Sequence, residues 1–369
     1  MKLKTVLKGA AGVLALSVGT ASAQMANDMT LVSWGGAYQA SQINAYTNPY
    51  QEKTGVSVVW EEASADAVAR LRAMKEANNL TWDLVDVEAA DAMRLCDEGL
   101  AMKIDHDTVL APAPDGTPAS VDFGDLIASE CFIPQIVFST TFGYRTDMVP
   151  AGAPAPTDAC AVFDTATYPG KRALNRRPVG NMEWALLCDG VAIEDVYDLL
   201  ETEEGIARAF AKLDTIKADT IWWSAAAETP QLLADGEIFM GSTYNGRLFA
   251  AIAEQGQPIG MAWGYQMLDI DGWIVPADLT GERLARVKDF LYFGTDTQRL
   301  ADQAAYISYG PARASSAPLV GQHATLGIEM APHMPTDPAN MSGAFVTAYT
   351  WWADYRDEMD ARFQAWLAN

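Results

Sequence analysis

Thr30-Leu31-Val32-Ser33-Trp34-Gly35-Gly36-Ala37-Tyr38 opens the stretch whose reading decides the fold. Residues 30–34 have the β-branched and aromatic content of a short strand, and the glycine pair breaks it. Ala37 to Thr54 then reads as a helix stopped by Gly55, and Val56-Ser57-Val58-Val59-Trp60 as a second strand. Ala63 to Glu76 sets Ala67, Leu71 and Met74 on one helical face. Leu84-Val85-Asp86-Val87 makes a third strand, and Ala89 to Gly99 another helix. This alternation predicts an α/β fold with a parallel, doubly wound sheet.

Toward the N-terminus, Lys2, Lys4 and Lys8 precede an apolar stretch from Ala10 to Val18 and the small residues Ala21-Ser22-Ala23. That is the layout of a secretory signal peptide over residues 1–23, with an exported mature chain starting near Gln24. The apolar run is shorter than the ~20 residues of a membrane-spanning helix.

Downstream, Pro112, Pro114, Asp115, Gly116 and Pro118 mark a loop, and Ile136 to Tyr144 is a long β-rich run suited to a crossover. Helices are expected over Asn181–Leu187, Ile193–Leu200, Glu203–Leu213 and Arg247–Glu254, a strand over Trp273–Pro276, and a helical, aromatic tail over Met341–Leu367. At 369 residues the chain exceeds what one core usually holds, so two domains are expected. Chain crossing between them builds a hinged cleft, where ligands sit.

The formal charge of −23 argues against nucleic acid and anionic membranes as partners, since both need a basic face. Cys96, Cys131, Cys160 and Cys188 form an even set in an oxidising compartment, which predicts disulfides. Three pairings are open, and the local one, Cys96–Cys131 with Cys160–Cys188, is favoured. With no CxxC and only His106, His323 and His333, no zinc site and no cofactor are expected.

Several segments then carry a resemblance in their order and spacing: Val32–Tyr38, Thr81–Val87, Cys96–Leu100, Pro169–Arg172, Trp222-Trp223, Gln231–Glu237, Tyr244–Arg247 and Tyr309–Pro311. Along essentially the whole mature chain they resemble the periplasmic spermidine/putrescine-binding proteins of ABC importers, in a branch that opens with Ser-Trp-Gly-Gly-Ala-Tyr. The resemblance implies a two-lobed, type II periplasmic binding protein fold with hinge crossovers. One lobe would comprise residues 25–138 plus roughly 271–315, and the other residues 139–270 plus roughly 316–369. It also implies a periplasmic monomer that hands a small molecule to permease subunits and catalyses nothing.

An ammonium needs carboxylates as partners and aromatic faces for its methylenes. Trp34 aligns with a ligand-stacking aromatic of the family, and Tyr38, four residues on, stands in for another. Glu88 falls where the family has a polar contact, and Asp86 is a weaker candidate. Asp271 matches the amine-binding aspartate, five residues before Pro276, and Asp269 stands where an aromatic is frequent. Tyr244 and Tyr309 match further aromatic contacts, and one of Trp222-Trp223, taken as Trp223, lines the cleft.

At the end of Tyr244-Asn245-Gly246-Arg247 the chain departs from the family, since putrescine binders often have an aspartate where Arg247 stands. A guanidinium repels a diamine and grips a carboxylate. Arg176 and Arg177 also occupy a stretch that is acidic in polyamine binders, though a surface role is expected for both. The ligand is therefore read as a polyamine or, alternatively, as an ω-amino acid held between Asp271 and Arg247. A secreted hydrolase is the enzyme alternative, but no G-x-S-x-G elbow appears and Gly241-Ser242-Thr243 lacks the second glycine. A repeat-built structural module would need repeats that are absent.

Overall fold

The computed structural model describes residues 28–369. The signal peptide expected at residues 1–23 lies outside the described residues.

Among the described residues, ten strands form one mixed sheet. They are β1 (Asp28–Ser33), β2 (Ser57–Glu62), β3 (Leu84–Glu88), β4 (Ile133–Arg145), β5 (Arg172–Asn175), β6 (Thr220–Trp223), β7 (Met240–Tyr244), β8 (Ile259–Ile274), β9 (Gly310–Pro311) and β10 (Phe345–Val346). The order is β2-β1-β3-β8-β4-β7-β5-β6, with β9 on β4 and β10 on β8. β1 runs parallel to β2 and β3, and β5 parallel to β6 and β7, while β3–β8, β8–β4 and β4–β7 are antiparallel. The expected all-parallel sheet is thus corrected: two parallel halves are joined by two long antiparallel strands.

Those strands define the two lobes. β4 contributes Ile133 to a core with Leu31, Leu84 and Phe290, and Phe142 to a second core with Trp184, Leu213 and Phe363. β8 does the same with Trp273 and Met267. Between these ends β4 shifts register twice against β8, at Pro134/Ile136 and at Thr140/Phe142. Such irregularities bend and twist a strand, here where the lobes meet.

Sequence reading found only the end of β8, because Gly260, Gly264, Asp269, Asp271 and Gly272 are poor strand formers. The strand-propensity scale spans only about 1 kcal/mol per position. Burial of Met267, Leu268, Ile270, Trp273 and Ile274 contributes roughly 1.5–3 kcal/mol for each such side chain and wins. The tail differs too: Tyr349–Ala368 is a 20-residue helix, but the residues before it form turns and β10.

The helical run from Gly36 to Thr54 contains Pro49 and widens to a π turn over Ile43–Thr47. A proline inside a helix has no N–H for the carbonyl four residues back and crowds it. That carbonyl belongs to Ala45, and the Arg299 guanidinium donates to it at 3.4 Å.

Both disulfides follow the favoured local pairing, Cys96–Cys131 and Cys160–Cys188, closing separations of 35 and 28 residues. Loop-closure entropy assigns each about 3–4 kcal/mol of stabilisation. Cys96→Ala with Cys131→Ala is therefore expected to lower the guanidinium unfolding midpoint without changing ligand affinity. An unchanged midpoint would show that the link constrains nothing in the unfolded chain.

Candidate functional site

The site starts from strand register. Glu88 of β3 stands opposite Asp271 of β8, and Asp86 opposite Trp273. On the other side of β8, Asp271 faces Ile136 and Asp269 faces Phe138 of β4. Paired residues share a sheet face and the side-chain period is two, so Asp86, Glu88, Asp269, Asp271, Ile136 and Phe138 line one face. Asp269 and Asp271 were expected in a segment preceding a strand; they lie inside β8.

Aromatics cover this face. Tyr38, Ile136, Phe138, Ile307 and Tyr309 form a buried cluster with Trp34 and Tyr244 packed against it. Tyr38 and Tyr309 have ring centroids 5.7 Å apart, and Phe138 meets Tyr244 edge-on at 5.4 Å. The structure thus gathers Trp34, Tyr38, Tyr244 and Tyr309 in one place.

Asp86 is fully buried and committed. Trp34 Nε1 donates to Oδ1 at 3.1 Å, the Tyr38 hydroxyl donates to Oδ2 at 3.0 Å, and Gln42 Nε2 also donates to Oδ2. Gln42 in turn accepts from Ser33 at 2.6 Å and donates to Gln135 at 2.9 Å. Gln42 and Gln135 escaped sequence reading. The available signal for Gln42 was its place four residues after Tyr38, on the same helical face.

Asp271 is the opposite case. It is buried, and its Oδ1 has no hydrogen-bond donor among the described residues. Burial, followed by the negative charges of Asp86, Glu88 and Asp269, pushes its carboxyl well above the usual carboxylate range. Asp269 accepts from Ile270 N at 2.7 Å; burial and then Glu88 push it up to about 8. Glu88 accepts from Arg356 Nη2 at 3.3 Å.

Arg247 supplies the opposite charge. Its guanidinium lies 6.0 Å from the Tyr244 ring and makes no hydrogen bond or ion pair among the described residues. A Cβ on Gly36 would lie 3.4 Å from Arg247 Nη1, so the arginine reaches across the cleft to the turn after β1, where Gly36 has φ +58°. The glycine inside Tyr244-Asn245-Gly246-Arg247 has its own cause: a Cβ there would stand 2.7 Å from the Tyr309 ring. Burial raises the Tyr244 and Tyr309 hydroxyls, and each also feels Asp271 and Arg247 with opposite sign. Asp271 thus borders the aromatic cluster through its register partner Ile136, and Arg247 borders it through the Tyr244 ring.

Trp223 corrects an expectation. It is 2% exposed, packs with Ala173, Leu233 and Ile238, and donates Nε1 to the Ser242 carbonyl at 3.1 Å. Neighbouring strand residues face opposite sides, and here both sides are covered. Trp222 meets Phe363 and Trp366 of the C-terminal helix at 5.8 and 5.3 Å. Arg176 donates to Gln364 at 3.3 Å, whereas Arg177 lines a small cavity with Glu88, Tyr244, Asp269 and Arg356. His323 and His333 pack on Phe249.

The buried acids give the ligand-free protein a definite pH dependence. Burial also lifts Asp86 to about 7, against the opposing hydrogen bonds of Tyr38, Gln42 and Trp34. With folded values above the ordinary aspartate value, the folded state binds more protons, and stability falls as pH rises. For Asp86 and Asp269 this contribution is complete below about pH 4 and is lost by about pH 8, and the raised Asp271 carboxyl adds to the fall across the same range. The ligand-free melting temperature is expected to fall from pH 5 to pH 8, more steeply in the wild type than in Asp271→Asn. Calorimetry that finds equal slopes would remove Asp271 from this account.

Fold and cleft together define a two-lobed periplasmic-type binding protein. Residues 45–336 match the model of the bacterial extracellular solute-binding proteins, and the chain belongs to that family, which is non-catalytic. It is 34% identical over 354 residues to the gamma-aminobutyric acid-binding protein of Pseudomonas aeruginosa, covering 96% of this chain and 95% of that one. The solved Atu4243–GABA receptor is 31% identical with a TM-score of 0.77, over 93% of this chain and 98% of its own. AgtB of Agrobacterium tumefaciens, solved with agropinic acid, is 26% identical with a TM-score of 0.75, over 93% and 99%. No helix among the described residues is long and apolar enough to cross a membrane.

Proposed function

We propose that this chain is the receptor of an ABC importer for a short ω-amino acid of the GABA type. One observation carries the reading: Asp271, a buried carboxyl with no donor on its Oδ1, and Arg247, with no hydrogen-bond or ion-pair partner among the described residues, both border the aromatic cluster of Trp34, Tyr38, Tyr244 and Tyr309, Asp271 through its register partner Ile136 and Arg247 through the Tyr244 ring. A ligand ammonium on Asp271 relieves a carboxylate that is costly to bury alone, and a ligand carboxylate gives the guanidinium a bidentate partner. Tyr244 and Tyr309 cover the methylenes between. Two relatives whose names carry GABA support the same class.

A polyamine fits less well, because its second ammonium would meet Arg247. The receptor acts as a monomer that closes its lobes on the ligand, bending β4 and β8 near residues 138–139 and 270–271, and presents the closed form to permease subunits.

A thermal-shift panel tests the reading. A ligand that binds only the folded state stabilises it by about 2.7 kcal/mol at a hundredfold excess over Kd. GABA and its chain-length neighbours are expected to raise the melting temperature where 1,4-diaminobutane and spermidine do not. A shift with the diamines alone would replace this reading with the polyamine one.

A further inference from the structure

Asp271 is not the only acid on the cleft face, and this raises the question of why a second ammonium is not invited. Glu88 stands directly opposite it in the β3–β8 ladder. Left free, Glu88 would give the cleft a second anionic wall, and a dication would be the better guest.

Arg356 prevents this. It comes from the C-terminal helix, which is fixed in the second core by Phe363 and by Trp352, whose Nε1 donates to Glu183 Oε1 at 2.8 Å. The Arg356 side chain is buried, 3.3 Å from Glu88 Oε2 and 3.8 Å from Asp91 Oδ1. The adjacent Asp357 pairs with Arg94 at 2.6 Å, which sets the helix in register against Ala89–Asp97. Among the described residues no other cation forms an ion pair with Glu88. The other two acids of that sheet face are also engaged, Asp86 by Trp34, Tyr38 and Gln42, and Asp269 by the Ile270 amide.

We propose that Arg356 is a positioning residue for ligand specificity: by neutralising Glu88 it leaves Asp271 as the single uncommitted carboxylate of the β3–β8 face that lines the cleft, so that the site takes one ammonium and not two. This rests on the ω-amino acid reading of the same cleft and explains how its charge is set from outside.

Isothermal titration of 4-aminobutyrate and 1,4-diaminobutane into wild type, Arg356→Gln, Arg356→Lys and the double variant Glu88→Gln/Arg356→Gln tests it. Arg356→Gln is expected to move the preference toward the diamine by about 10-fold or more, since Glu88 and Asp91 both lose their cation and the net charge beside the ligand falls by one. The double variant, which removes both charges, is expected to return to the wild-type preference, and Arg356→Lys to keep it.

A merely structural role would weaken both ligands alike, and an unmoved ratio in Arg356→Gln overturns the proposal. Should Arg356→Gln fail to fold, a double variant that folds but favours the diamine overturns it equally. The two readings fail separately. A wild type that takes the diamine and not 4-aminobutyrate sinks the function, whereas a wild type that prefers 4-aminobutyrate, with an unmoved ratio in the variant, sinks only the role of Arg356.

Discussion

Arg247→Gln is expected to weaken binding of a short ω-amino acid by about 100-fold or more, on the order of 3 kcal/mol, while the protein keeps its fold. The guanidinium has no hydrogen-bond or ion-pair partner among the described residues, so its removal costs the resting protein only its contact with the Tyr244 ring at 6.0 Å. In the complex it leaves a ligand carboxylate desolvated against Tyr244 with no counter-charge. Glutamine keeps part of the length and loses the charge and the planar fork. Titration calorimetry reads the affinity, and the melting temperature without ligand serves as control. A variant that binds within threefold of wild type would show that the arginine faces away from the ligand.

Asp271→Asn should weaken binding to a similar degree, on the order of 100-fold, and at the same time stabilise the ligand-free protein at pH 8. The two effects share one cause. Asp271 is buried beside Asp86, Glu88 and Asp269, and its ionised form is opposed by burial and by all three. The neutral amide removes that opposition together with the ligand's counter-ion. A structural aspartate would behave differently, because its replacement would lower both stability and affinity. Melting temperatures with and without ligand separate the cases, and a fall in ligand-free stability at pH 8 would refute a carboxylate held in reserve for the ligand.

The legible part of this protein was what strand and helix alternation and short motifs express locally. The first three strands and the helices between them follow from residues 30–99, and the local cysteine pairing holds. Trp34, Tyr38, Tyr244 and Tyr309 do come together, with Asp271 opposite Ile136 of the same cluster and Arg247 beside the Tyr244 ring.

What escaped is set by contacts between distant parts of the chain. β8 is a strand because its apolar residues fill both cores, despite the glycines and aspartates at its centre. One of Trp222-Trp223 is expected to line the cleft, with Trp223 the choice from sequence, but only the packing of Leu233 and Ile238 decides that Trp223 is core. Glu88 looked like a free ligand contact, and its commitment to Arg356, 268 residues away, has no local signature. Single charges were therefore easy to nominate from sequence, whereas their partners were not.

The most direct measurement is a crystal structure of the mature protein with 4-aminobutyrate. The account predicts the ligand in the interlobe cleft, its ammonium on Asp271, its carboxylate on the Arg247 guanidinium, and Tyr244 and Tyr309 against its methylenes. A ligand bound with its carboxylate away from Arg247, or a cleft that takes only a diamine, would contradict it.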